Sequence, residues 1–176
     1  MKRIACLVVV FLLFAGQYAY AEVKIGFVDL MRALNESEAG KKAKVDLEAL
    51  IKAKQGSLDT KGKEIEKLKG DVEKQSSVLS AEAKKSKEDD LQRMLRDYQR
   101  LVSDSQAEVK KKESEMTGEI VTEIRAIVEK IGEEGGYTMV IENAEGLILY
   151  SKKDLDLTDS VIKRYNASKS KGKNKK

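Results

Sequence analysis

The sequence predicts an α+β chain, mainly α, in which a small three-stranded β body carries a long antiparallel coiled-coil hairpin arm. Three observations lead there. Charged residues make up 36% of the 176 and proline is absent, and both signs are interleaved over roughly a hundred residues, a pattern of long solvated helices. Apolar residues inside that stretch recur at heptad spacing. Short β-branched segments occur only at its two ends.

Taken from the N-terminus, Lys2 and Arg3 precede an apolar run over 4–14, and Ala19-Tyr20-Ala21 follows. Residues 1–21 are therefore expected to be a secretory signal peptide, cleaved after Ala21. The alternative is a membrane anchor, but the run is about eleven residues long where a spanning helix needs roughly twenty. Cys6 stands at the start of the run and not after it, which argues against a lipid-bearing cysteine.

Removal of that peptide also removes the one cysteine, and the chain contains no histidine. Ser-His-Asp and Cys-His nucleophile systems, ordinary zinc sites and imidazole acid/base chemistry go with them. Paired carboxylates could still work as in glycosidases, but they need a desolvated cleft to split their pKa values. A chain without Trp, whose acids are interleaved with lysine, offers little to build one. The 12 glycines are scattered and form no phosphate loop. These residues point to binding without catalysis, cofactor or metal.

In 23–29, Val23, Ile25 and Phe27 alternate on one face and predict a strand. A turn of helix around 30–34 follows, and Ser37 with Glu38 is a fair start for a long helix. Within it Ile51, Leu58, Ile65 and Val72 fall seven apart, while Leu47 and Leu68 occupy a second seam position that Lys54, Lys61 and Gln75 dilute. Such a half-filled heptad forms a compliant helix pair. The Ser-rich stretch 75–80, with Ser80 ahead of strong helix formers, places the hairpin turn near 78. That register sets Ile65 against Leu91, Lys61 against Leu95, Leu58 against Tyr98, Lys54 against Val102 and Leu47 against Val109. A competing register turns near Lys87 and pairs Ile65 with Val109, at the expense of burying the Ser-rich stretch in a helix.

The second helix should run from Ser80 to Glu134 and stop at Gly135-Gly136. Its far end, with Met116, Ile120, Ile124, Ile127, Val128 and Ile131, carries a full amphipathic face that belongs to a core. Residues 137–142 and 147–150 read as a β-hairpin. A short helix over 154–165 closes the body, with Thr158 or Asp159 as its cap. Three strands and two helix ends make too small a core for a monomer, so self-association is expected. The five lysines of 169–176 form a basic tail. Export argues against nucleic acid as its partner and leaves anionic lipid, lipopolysaccharide or plain solubilisation.

The opening Lys24-Ile25-Gly26-Phe27-Val28-Asp29, the Ser37/Gly40-Lys41 helix start, Ile120-Val121-Thr122-Glu123-Ile124, Tyr137-Thr138-Met139-Val140-Ile141 and Asp156-Leu157-Thr158-Asp159 together, in this order and spacing, resemble the Skp/OmpH family of periplasmic chaperones. The resemblance covers nearly all of 22–165. It implies a periplasmic homotrimer whose β body carries three arms around a cavity, holding unfolded outer-membrane proteins without ATP. On that reading 22–36 and 117–166 form the discontinuous trimerisation body, 37–116 the arm and 167–176 a disordered basic tail. Val23, Ile25, Phe27, Ile120, Ile124, Ile127, Tyr137, Met139, Ile141, Leu147 and Leu149 are the expected trimer-body residues. Basic arm side chains have been proposed to bind lipopolysaccharide in the family. The nearest counterparts here are Arg100, Lys110, Lys111 and Lys112, although a second basic position of the family is not basic in this chain and Lys runs beside Glu favour an ordinary solvated helix face. The other function to weigh is a structural coiled-coil protein bridging membrane or cell-wall components of the envelope.

Overall fold

The computed structural model describes residues 23–75, 79–144 and 147–173, for 171–173 the backbone only. The expected signal peptide lies outside the described residues. The elements in order are strand β1 (Ile25–Val28), helix α1 (Leu30–Glu36), helix α2 (Glu38–Gln75), helix α3 (Ala81–Glu134), strand β2 (Met139–Glu142), a 3-10 turn (Lys153–Leu155) and helix α4 (Thr158–Lys173).

Each helix boundary has a local cause. Asp29 accepts from the Arg32 amide and caps α1. Ser37 lies fully buried between α1 and α2, donating its hydroxyl to the Leu34 carbonyl and accepting from the Gly40 amide, so one side chain ends the first helix and starts the second. Ser80 accepts from the Ala83 amide and caps α3. Gly135 closes α3, and Gly136 takes the left-handed φ of 63° that the chain needs to turn into β2. The cap of α4 is Asp156, not the expected Thr158 or Asp159. Its carboxylate accepts from both the amide and the hydroxyl of Thr158, and that hydroxyl in turn receives the Asp29 amide.

The expected hairpin turn near 78 falls on 76–78, outside the described residues. With α2 ending at Gln75 and α3 beginning at Ala81, Lys87 lies well inside α3, which removes the competing register. Observed contacts run further along α3 than a residue-for-residue pairing: Lys54 Nζ reaches Glu108 at 2.6 Å, past the expected Val102, and Leu47 shares a cavity with Glu113 and Met116, past the expected Val109. Helical side chains lean toward their own N-terminus, so across an antiparallel pair they meet ahead of the backbone register.

The sheet departs from expectation. Among the described residues it has two strands, and they are parallel, with Ile25 opposite Met139 and Val28 opposite Glu142. The expected third strand, 147–150, is irregular. The remaining edge of β1 is taken instead by Asp156, through a parallel bridge from Phe27, and by the Leu157 amide on the Phe27 carbonyl. Burial of β1 does not alternate either: Gly26, Phe27 and Val28 are buried in succession, while Val23 and Ile25 are exposed. A short parallel strand covered on both faces behaves this way.

The core gathers Val28, Leu30, Ala33, Leu34, Ile120, Ile124, Ile127, Leu157, Val161 and Tyr165. It joins β1, α1, the base of α3 and α4, with Ile124 and Val161 wholly buried. The arm is otherwise thin. Between residues 41 and 119 only Ile65, Val72 and Ser105 are buried among the described residues. Helix α4 does not stop near 165 but continues to Lys173, through most of the stretch expected as a disordered tail.

Candidate functional site

The arm is a pair of helices of 38 and 54 residues, about 57 and 80 Å long at 1.5 Å per residue. Its inner stripe on α2 is Ala43, Leu47, Leu50, Lys54, Leu58, Lys61, Ile65, Leu68 and Val72, all buried or half-buried. Two lysines in that stripe interrupt the apolar seam, as the heptad reading expected. Lys54 pairs with Glu108 across the seam, and Lys61 pairs with Glu64 one turn on. The hydrogen bond and charge of Glu64 hold the Lys61 ammonium above its ordinary range, so it stays a cation at the seam's edge. Ile51 is not in the stripe; it is 46% exposed and Leu50 stands in its place.

At the root of the arm the two helices meet across small residues. Cavities of about 170, 390 and 450 Å³ open around Met116, which lines all three. Ala39, Gly40, Ala43, Leu47 and Leu50 face it from α2. An unbranched thioether with three free torsions adapts to irregular apolar shapes, which makes Met116 the most adaptable apolar group here. Charged side chains, Glu38, Lys42, Asp46 and Glu119 among them, rim the 390 Å³ cavity against α4. The arrangement can grip an apolar side chain loosely and leave polar neighbours hydrated. No group of three or more acidic, Cys or His side chains capable of holding a metal ion occurs among the described residues.

Helix α4 ties this root to the body. Tyr165 is buried and donates its hydroxyl to Glu123 on α3; Lys169 donates to the other carboxylate oxygen at 2.6 Å. Burial pushes the Glu123 carboxyl up, but the Lys169 and Tyr165 hydrogen bonds and the Lys169 charge outweigh it and leave the group below the usual carboxylate range. Burial and the Glu123 carboxylate both push the Tyr165 phenol up. Arg164 makes a two-pronged pair with Glu134, whose carboxyl the arginine holds low. Sequence reasoning placed Lys169 in a basic tail and Glu123 in a family segment without foreseeing that they pair, since nothing in their local pattern separates them from the other charged residues of exposed helices.

The expected trimer-body residues divide. Phe27, Ile120, Ile124 and Ile127 are buried within the chain, and Tyr137 and Ile141 are half-buried. Val23, Ile25, Met139, Leu147 and Leu149 are exposed, Leu149 almost completely at 94%. Tyr150 beside it is 86% exposed. Of the basic candidates, Arg100 is bonded to Asp97 and Lys111 lies 3.8 Å from Glu115. Lys110 and Lys112 stand on the same helix, both exposed. Eleven residues apart, Arg100 and Lys111 share a helix face about 16 Å from each other, with Asp104 between them.

Among described residues no helix is long and apolar enough to cross a membrane. A Skp-like protein of Pseudomonas aeruginosa is 28% identical over 152 residues, 86% of this chain and 89% of that protein. The crystal structure of an OmpH-like protein from Caulobacter crescentus, taken to be an outer membrane chaperone, shares the fold with a TM-score of 0.78 at 16% identity, over 87% of this chain and 89% of that one. Residues 24–165 match the family described as Outer membrane protein (OmpH-like), from the first residue before β1 to the buried tyrosine of α4. The chain belongs to the OmpH-like family.

Proposed function

We propose that this chain is an ATP-independent periplasmic holdase that keeps unfolded outer-membrane proteins soluble between its arms. The observation that carries the reading is the arm itself: a long paired projection in which, among the described residues between 41 and 119, only Ile65, Val72 and Ser105 are buried and the rest of the seam is at most half-buried. A hairpin of this length contributes little to the chain's core, so its use lies in what it meets outside. Its stripe of scattered apolar residues among Lys and Glu suits weak contact with strands that alternate apolar and polar side chains. Weak contacts add up when the client is enclosed, through effective concentration.

Enclosure requires several arms, and the body supplies a reason for self-association. Val23, Ile25, Met139, Leu147, Leu149 and Tyr150 are large apolar residues exposed on it. Among the described residues no strand covers the outer edge of β2. An open edge beside exposed apolar side chains supports pairing with further copies of the chain. We take the assembly to be a homotrimer, as the family resemblance implies. The residues 1–21 then direct export and are removed after Ala21. Lipopolysaccharide or another anionic lipid is a secondary partner of Arg100, Lys110, Lys111 and Lys112, whose charge Asp97 and Glu115 offset only in part.

The test is aggregation of a urea-unfolded outer-membrane β-barrel on dilution, followed by light scattering without nucleotide. One trimer per client should suppress scattering. Unchanged scattering at that ratio, with stable binding to a folded envelope component or to peptidoglycan, would make the chain a structural bridge instead.

A further inference from the structure

The family match ends at residue 165, yet α4 runs on to Lys173. Two side chains on this overhang reach both helices of the arm. Asn166 Oδ1 accepts from the Glu38 amide at 3.0 Å, so a residue of α4 satisfies a free N–H at the first turn of α2. Lys169 Nζ donates to Glu123 on α3 at 2.6 Å and lies 5.7 Å above the Tyr165 ring. Lys169 and Ser170 also wall one side of the cavity whose apolar lining is Ala39, Ala43, Met116 and Ile120.

We propose that residues 166–170 are positioning residues that set the angle at which the arm leaves the body. The root of the arm is where such a device has most effect. Small residues and unfilled volume around Met116 leave the two helices little packing to resist a relative tilt, because side chains that face a gap have no partner atoms to hold them. The lever is long: a swing of about 10° at Glu38 carries the far end of a helix of about 57 Å through roughly 10 Å. Asn166 grips the start of α2 and Lys169 grips α3 beside the wholly buried Ile124. The two grips come from one helix whose Tyr165 and Val161 are fixed in the core, so together they hold α2 and α3 to a common frame. Width between arms, and with it the size of client admitted, then depends on a segment outside the family-matched stretch.

The experiment is pulsed electron–electron distance measurement on the full chain carrying Cys6→Ser, with nitroxides on Lys69→Cys in the arm and Ser160→Cys in the body, diluted with unlabelled chain. The Asn166→Ala/Lys169→Ala double variant should broaden the distance distribution and shift it by several ångströms, while Lys163→Ala on the same helix leaves it unchanged. Amide exchange supplies the second readout. Protection of the Glu38 to Gly40 amides should fall on the order of fivefold, the effect of losing one helix cap, with Val28 in β1 unaffected. The charge-swapped pair Glu123→Lys/Lys169→Glu should return the distribution toward the starting one. A double variant whose distances and exchange superimpose on the parent overturns the proposal. So does equal loss of protection at Val28, which would mean that the overhang holds the whole body and not the arm.

Discussion

Gly40 stands where α1 gives way to α2, and a Cβ there would lie 1.7 Å from the Leu34 carbonyl oxygen. That atom is backbone, already accepting from Ser37, and has nowhere to go. Gly40→Ala should therefore cost on the order of 3 kcal/mol, as overpacking against a fixed group does, and lower the denaturant midpoint accordingly. Gly62→Ala, with nothing within 4 Å of the added methyl, should raise stability by about 0.8–1 kcal/mol through helix propensity alone. Glu123 makes the acid response of the root predictable. Its carboxyl is held below its usual value in the fold, with Lys169, Tyr165 and Glu119 as the ionisable neighbours. A lowered carboxylate contributes stability above its unfolded value, and that contribution is lost as pH falls through the folded one. Between pH 7 and 5 the parent and Glu123→Gln should thus hold a constant difference in unfolding midpoint. Below the ordinary carboxyl value of 4.5 the difference should shrink as the parent loses its pair. A gap that stays constant down to pH 3 would show that the Lys169 pair is not felt in stability.

The arm shows how far a periodic pattern can be followed. Near the tip the seven-residue row holds, with Ile65 and Val72 buried. Toward the root it slides, so that Ile51 turns to solvent and Leu50 turns inward, and on α3 Leu95 is 44% exposed beside half-buried Met94 and Tyr98. A straight helix drifts about 20° per heptad against a strict seven-residue row, so a row counted from the tip leaves the seam after two or three repeats. Three helix ends were legible because their signals are local: Ser37, Ser80 and Gly135 announce themselves by type and position. The sheet was not, since β1 and β2 pair across more than a hundred residues and a hairpin between 137–142 and 147–150 is the shorter connection. The root site was legible in part. Met116 stood out in the apolar set, but Glu123 acquires its meaning from Lys169, 46 residues away. At this scale Ser80→Ala should cost about 1 kcal/mol, and it should speed amide exchange at Ala83 and its neighbours without altering exchange in α1. Such confinement would mark the tip as a separate cooperative unit from the body.

For the molecule as a whole, the issue is what one chain leaves unfinished. Its core draws on β1, α1, the base of α3 and α4, while the arm extends away from all of them and Leu149 and Tyr150 lie almost fully in solvent. A body this small gains stability by covering such residues, since each buried side chain of that size is worth roughly 1.5–3 kcal/mol. The proposed trimer accordingly predicts a native mass three times that of the mature chain. It also predicts that Leu149→Asp/Tyr150→Asp, which disturbs no contact within the chain's core, lowers that mass to a single copy with far-UV helix signal intact. The separated chains should lose client protection even though each arm is unchanged, because a lone arm has the same weak contacts without the enclosure that adds them together. A monomeric variant that protects clients as well as the parent would place the activity in the individual arm. The body would then serve as an anchor for the arm, and the exposed residues at 149 and 150 would need another partner to account for them.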